Sequence, residues 1–225
     1  MNVTTTPELI DALVECATPV RRLRPPLVRA LLWLGFAGFV VALVAVGHGI
    51  RSDLAERLHE PVFVLAVVAA LATGILAAVA SFAISLPDRS QRWLLLPAPT
   101  LAVWIATVGY GCLADWVSIG PDGILFDEAG CFALLLLTGV PLSVVLLVML
   151  RYAALLRSGA VAMMGGLAVA AVSATALSLF HAHNASAIIL VWNLGMAALI
   201  AGLAGLFGPR MFRWVASRLA PSVPG

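Results

Sequence analysis

The sequence predicts an all-α, polytopic membrane protein: six transmembrane helices in one bundle, with both termini in the cytoplasm. Three observations carry this expectation. The 225 residues are 62% hydrophobic and 11% charged, with a mean hydropathy of +1.07, whereas soluble domains are roughly half apolar and about a quarter charged. The excess is spread into six apolar runs, each near the ~20 residues that a helix needs to cross a bilayer. The arginines, which supply all thirteen basic residues, fall almost entirely on alternate sides of those runs.

Residues 1–26 form the one polar segment long enough to act alone. Thr6 and Pro7 offer a helix N-cap followed by proline at the first helical position. Glu8, Asp11 and Glu15 then share one narrow arc of a helical wheel, and Leu9, Ile10, Leu13, Val14 and Ala17 lie roughly opposite. Thr18-Pro19 ends this amphipathic helix, which at about three turns is marginal alone in water and needs a surface to fold against. Its own membrane domain is one such surface. The acidic stripe is repelled by anionic lipid, which favours a protein partner. The N-terminus does not read as a signal peptide, because the first apolar run starts late, is too long and lacks a small-residue cleavage site.

A collar, Pro19-Val-Arg-Arg-Leu-Arg-Pro-Pro26, leads into the first span. The six spans are placed at Leu27–Gly47, Pro61–Leu86, Trp93–Leu113, Gly130–Met149, Ser158–Leu179 and Ser186–Phe207. Arg21, Arg22, Arg24 and Arg29 flank the first, with Arg21, Arg22 and Arg24 as its topology anchors. Arg89, Arg92, Arg151, Arg157, Arg210, Arg213 and Arg218 occupy loops on the same side, and only Arg51 and Arg57 fall on the other. Eleven against two is a positive-inside pattern. Three regions follow: a cytoplasmic helix and Arg/Pro collar over 1–26, a six-helix transmembrane domain over 27–207, and a cytoplasmic tail over 208–225. A net charge of +2 gives no reason to expect a nucleic-acid partner.

The outer loops have the opposite chemistry. The third, Ala114–Ala129, carries Asp115, Asp122, Asp127 and Glu128 with no basic residue, and the last is only Phe180-His-Ala-His-Asn-Ala185. No Asp, Glu or Lys lies within the core of any span, which argues against an ion-coupled carrier. Ser81, Thr107, Thr138, Ser143, Ser173 and Thr175 remain as polar groups able to line a path. Pro97, Pro99 and Pro141 are positioned to kink the third and fourth spans, and Gly74, Gly165, Gly166 and Gly202 to allow close helix contact. The chain carries no GxSxG, HExxH or P-loop motif and no paired carboxylates in a span, so it does not read as an enzyme.

With the topology fixed, the soft ligands gather on the outer side. His48 and His59 flank the first outer loop, His181 and His183 form an H-x-H pair in the last, and Cys112 and Cys131 stand at the outer ends of the third and fourth spans. Thiolate and imidazole suit zinc, cadmium and copper(I), so Cys131, His181, His183 and Cys112 are the candidate signal-sensing and metal residues, for a regulatory soft metal ion and no resident cofactor. Two other readings stay open. Cysteine is a common apolar filler in helices, and Cys112 and Cys131 can pair as a disulfide in an oxidising compartment.

The acidic-apolar N-terminal helix, the Pro19–Pro26 collar running on to Ala30-Leu-Leu-Trp33, the Gly130-Cys-Phe start of a span that contains Pro141, and the His181 loop followed by Ser186, Trp192 and Gly195 together resemble the NrsF family, negative regulators of sigma F. The resemblance covers nearly the whole chain. It implies a six-span anti-sigma factor of the bacterial inner membrane, which holds an extracytoplasmic-function (ECF) sigma factor through its cytoplasmic N-terminal segment. Release would follow a periplasmic heavy-metal or oxidant signal. On this chain the sigma contact maps to Glu8, Leu9, Ile10, Asp11, Leu13 and Val14, and the first sensing cysteine to Cys131. The family pattern has a cysteine directly after the histidine of the last outer loop, where this chain has Ala182; His183 or Cys112 is then the substitute. The alternative from a different class is a small metal or solute transporter whose outer Cys/His cluster is its uptake site.

Overall fold

The computed structural model describes residues 6, 7, 14, 24–86, 88–119, 128–150 and 158–180. Among these the regular structure is entirely helical. We label the helices α1 (Pro26–His48), α2 (Leu54–Arg57), α3 (Pro61–Ile84), α4 (Ala98–Ile119), α5 (Glu128–Leu150) and α6 (Ser158–Phe180), with a 3-10 turn at Gln91–Leu95 between α3 and α4. Five stretches are long and apolar enough to cross a membrane: Pro26–His48, Pro61–Ile84, Gln91–Tyr110, Ala133–Leu150 and Gly159–Phe180. The sixth expected span, 186–207, lies outside the described residues.

The helix ends follow local chemistry. Pro26 opens α1 and Pro61 opens α3, where a proline's missing N–H costs nothing and its φ is already helical. Gly49 closes α1 at φ +81°, donating its N–H to Ala45, a left-handed backbone that favours glycine. The third apolar stretch, Gln91–Tyr110, lies close to its expected place, but the helix through it has other ends. Pro97 and Pro99 start α4 instead of kinking it, since Pro97 follows the 3-10 turn and Pro99 falls in the first helical turn, where proline is tolerated. The helix also runs six residues past Leu113 to Ile119. Asp115 had marked the loop, but one carboxylate does not stop a helix; Gly120-Pro121, just beyond, is the stronger stop signal. At the other end of that loop, Glu128 already belongs to α5. Pro141 lies inside α5 as expected.

Helix α6 is the hub. It is buried on nearly all sides, and its longest interface is with α3, followed among its neighbours by α5 and then α1. Its sequence explains why. Gly, Ala and Ser dominate it, and in lipid such residues let backbones approach until dispersion and close packing hold the helices together. A Cβ added at Gly165 would sit 2.6 Å from Leu146 Cδ2 of α5, and one at Gly74 would sit 3.0 Å from Val172 Cγ2 and 3.4 Å from the Val172 backbone nitrogen of α6. The antiparallel course is fixed by such pairs: Ser81 donates to the carbonyl of Val161 at 3.1 Å near one end, whereas Gly74 meets Val172 further along.

The core divides by depth. At one end Trp33, Phe82, Ile84, Leu142, Leu146, Leu150 and Val161 form the large cluster that joins α1, α3, α5 and α6. At the other, Val44, Leu134, Ala176, Leu177 and Phe180 join α1, α5 and α6. Trp104 of α4 packs between Ala69, Ala70, Ala171 and Ala174. The hydroxyls proposed as a path are mostly occupied. Thr138 and Thr175 each donate to the carbonyl four residues back, both at 2.9 Å, and Thr107 to that of Trp104 at 2.8 Å. Ser173, buried against Gly139, has no partner among the described residues.

Candidate functional site

Two arginines, one in α1 and one in the loop that follows it, hold α1 to the bundle, one at each end. At the end that carries the N-terminal collar, Arg29 lies one turn into α1 and is only 5% exposed. Its guanidinium donates to the main-chain oxygen of Met149 and stands 5.1 Å from the centroid of the Phe82 ring. Met149 belongs to the last turn of α5, where carbonyls lack a helical donor and the helix dipole is negative. Arginine answers both needs and adds a cation–π contact. One turn further along α1, the Trp33 indole N–H donates to the main-chain oxygen of Leu142 at 3.1 Å, next to Pro141. Arg29 and Trp33 thus present one face of α1 to α5, four residues apart as helical geometry requires.

At the opposite end the chain leaves α1 through Gly49 and places Arg51 against the end of α6. The Arg51 side chain is 5% exposed. It makes a two-pronged ion pair with Asp53, Nε to Oδ1 at 2.7 Å and Nη2 to Oδ2 at 2.6 Å. It reaches α6 more loosely: Nη1 to the Ser178 carbonyl and the Arg51 backbone N–H to the Leu179 carbonyl, both at 3.4 Å. The Phe63 ring at the start of α3 lies 5.8 Å from the guanidinium. The hydrogen bonds from Arg51 hold the Asp53 carboxylate down to about 2, and Arg57, 3.9 Å away, acts in the same direction. The Asp53 partnership in turn raises Arg51. Arg57 also pairs with Glu60 at 2.9 Å, which closes the loop around α2.

The residues singled out from the sequence are only partly in view. Thr6, Pro7 and Val14 are helical, and Val14 is exposed; Glu8, Leu9, Ile10, Asp11 and Leu13 lie outside the described residues, as do Arg21 and Arg22. Arg24 is exposed, in non-helical chain just before Pro25. Cys112 falls on α4 and Cys131 in the first turn of α5. His181, Ala182 and His183 lie outside the described residues, although His181 directly follows the last residue of α6. His48 and His59 are exposed. Among the described residues no group of three or more His, Cys, Asp or Glu side chains gathers as a metal site.

Sequence reasoning missed the two arginine clamps. Arg29 and Arg51 had counted only as markers of sidedness. Their partners are main-chain carbonyls, which leave no trace in sequence; the one available signal was the Arg51-Ser-Asp53 spacing right after a glycine helix stop.

These features define a helical bundle of membrane-spanning length whose first helix carries an N-terminal extension and is fixed to its neighbours at both ends. A family described as NrsF, negative regulator of sigma F, matches residues 13–214. The match covers most of the sequence, and the chain belongs to the NrsF family. No curated protein and no solved structure matches it.

Proposed function

We propose that this chain is an anti-sigma factor of the bacterial inner membrane, which sequesters an ECF sigma factor and releases it on a periplasmic stress signal. The family match over 13–214 is the observation that carries this reading. Residues 1–26 act as the cytoplasmic grip, 27–207 as the six-span domain and 208–225 as a cytoplasmic tail. The grip is the amphipathic helix: Leu9, Ile10, Leu13 and Val14 supply an apolar face, and Glu8 and Asp11 an acidic edge for basic residues on sigma. The exposure of Val14 is consistent with a face kept for a partner. Sigma held there cannot engage core polymerase.

The signal acts at the outer ends of the spans, through Cys131 with His181 and His183, and with Cys112 as a further thiol. A soft ion such as zinc or cadmium, or an oxidant, alters this cluster. It drives release only if it binds the two states of the bundle with different affinity. The protein performs no catalysis in this scheme and contacts no nucleic acid itself.

The test is a pull-down from detergent extracts of the native host, using the full chain and a version lacking residues 1–17, with bound proteins identified by mass spectrometry. Recovery of an ECF sigma factor with the full chain and its loss on truncation is the expected result. Absence of any sigma factor from both samples, with both proteins folded, overturns the reading in favour of transport.

A further inference from the structure

We infer that α1 works as a lever through the membrane, with Arg51 as the positioning residue that docks its outer end on α6 and Arg29 with Trp33 as its fixed inner bearing. This inference rests on the proposed anti-sigma reading and adds the route by which an outer change reaches the N-terminal segment.

The argument begins with unequal contacts at the two ends. The inner end is tight: Arg29 reaches Met149, the Phe82 ring lies under the guanidinium, and Trp33 is wholly buried while bonded to Leu142. All three partners sit on α3 or α5, and the cluster around them is the largest among the described residues. At the outer end the apolar contact is smaller, Val44 against Leu177 and Phe180, and the polar contact is tight only within its own loop. Arg51 and Asp53 lock each other at 2.6 and 2.7 Å, but both bonds from Arg51 to α6 are 3.4 Å long, near the limit at which a hydrogen bond holds. A head kept in shape by its own ion pair and resting on its neighbour through long bonds can detach without rearranging itself. That is the property of a releasable contact.

The geometry of α1 supplies the rest. Its 23 residues span about 35 Å as a single helix. No proline interrupts it beyond Pro26, so a tilt at one end is delivered at the other. Pro25 and Pro26 continue the stiffness toward Arg24: Pro25 is extended at φ −50°, ψ 143°, a conformation that resists bending. The bearing at Arg29–Trp33 lies close to the cytoplasmic end, so outward release at Arg51 swings Arg24 and the chain before it the opposite way. The contact that Arg51 makes is with Ser178 and Leu179, the turn that runs directly into His181. Any change that draws the end of α6 away from α1 therefore reaches Arg51 directly. The docked arrangement is assigned to the state that holds sigma.

The experiment uses the full chain in membranes, with the sigma factor recovered in the pull-down above as probe, and compares wild type with Arg51→Ala, Arg51→Lys and Asp53→Asn. Two readouts run in parallel: sigma retained on the membranes, and hydrogen exchange along α1 and α6. Arg51→Ala is expected to raise exchange at the outer ends of α1 and α6, to leave exchange at Arg29–Trp33 unchanged, and to lower sigma retention about tenfold, within the range of ordinary allosteric couplings. Arg51→Lys, which keeps the backbone bond to Leu179 but cannot match the two-pronged pair with Asp53 while also reaching the Ser178 carbonyl, falls between. Asp53→Asn is milder, because the bonds to α6 remain. Loosened outer ends with sigma retained as in wild type overturn the lever, and so does unchanged exchange at the outer ends. A wild-type chain that holds no sigma factor fails earlier, at the anti-sigma reading itself.

Discussion

The Trp33 indole N–H donates to the main-chain oxygen of Leu142 at 3.1 Å, across the α1–α5 interface and one residue after the proline of α5. Trp33 is fully buried, so it contributes both volume and a hydrogen bond, and the two can be separated. Trp33→Phe keeps most of the ring and loses the bond, a cost of about 1 kcal/mol or less for an interhelical hydrogen bond in a membrane protein. Trp33→Ala also leaves a cavity and costs about 3–5 kcal/mol. Thermal unfolding in detergent should rank wild type, Phe and Ala in that order, with the larger step between Phe and Ala. Equal losses for the two variants would assign the role to the bond.

Arg29 should matter for the end of α5 more than for the bundle as a whole. Arg29→Met keeps an apolar stem beside Phe82 but removes the donor to Met149 and the charge at the helix C-terminus, together worth about 1–2 kcal/mol. The expected signature is local: faster amide exchange over the last turn of α5, with the segment around Leu142 unchanged. Arg29→Glu adds a negative charge where the dipole is already negative and should fray the same turn further.

The close approach of α5 and α6 at Gly165 gives a double-mutant prediction. A methyl at Gly165 would lie 2.6 Å from Leu146 Cδ2, the movable end of a side chain, so Gly165→Ala is accommodated by a displaced Leu146 at about 1–3 kcal/mol. Leu146→Ala alone removes a buried side chain. The two together should cost less than their sum, because the second change makes room for the first. Strict additivity in detergent unfolding would show that the helices separate instead.

The spans were legible because length and hydropathy register directly in sequence: α1, α3, α5 and α6 begin and end within two residues of where the apolar runs place them. The third apolar run was legible too, Trp93–Leu113 against Gln91–Tyr110, but the helix through it has other ends, because Pro97 and Pro99 read as kinks when proline is also a helix opener. Which helix sits at the centre was hidden. In a membrane both lipid and core are apolar, so α6 shows no periodicity to betray its buried faces; only its wealth of Gly, Ala and Ser hinted at contact on all sides. The clamps at Arg29 and Arg51 were hidden for a different reason, since a backbone acceptor is the same at every residue. The proposed grip at Glu8–Val14 rests on a wheel pattern in water-facing chain, where polarity does discriminate.

On the proposed reading, Cys131→Ser separates sensing from holding. Sulfur is lost as a soft ligand and as an oxidisable group, whereas the hydroxyl is close in size. Repression of a sigma-dependent reporter should stay at the wild-type level, and the response to zinc, cadmium or an oxidant should be blunted at every dose. A full response from the Ser variant would take Cys131 out of the sensor and leave Cys112, His181 and His183 to account for it.

The outer clamp has a defined response to acid. Asp53 is held down to about 2 by its hydrogen bonds from Arg51, against 3.8 for an ordinary aspartate. A depressed carboxylate contributes stability that is fully present above its unfolded value and is lost as pH falls through its folded value. The contribution is therefore intact at neutral pH and down to about pH 4, and it disappears between there and about 2. Mild acidification should leave the Arg51–Asp53 pair closed, because Arg51 is raised and Arg57 also stabilises the carboxylate. Hydrogen exchange at the outer ends of α1 and α6 should accordingly stay constant from pH 7 to about 5 after correction for the intrinsic rate, and Asp53→Asn should abolish the acid transition below about pH 4. An opening of these ends near pH 6 that survives Asp53→Asn would place the sensitive group elsewhere.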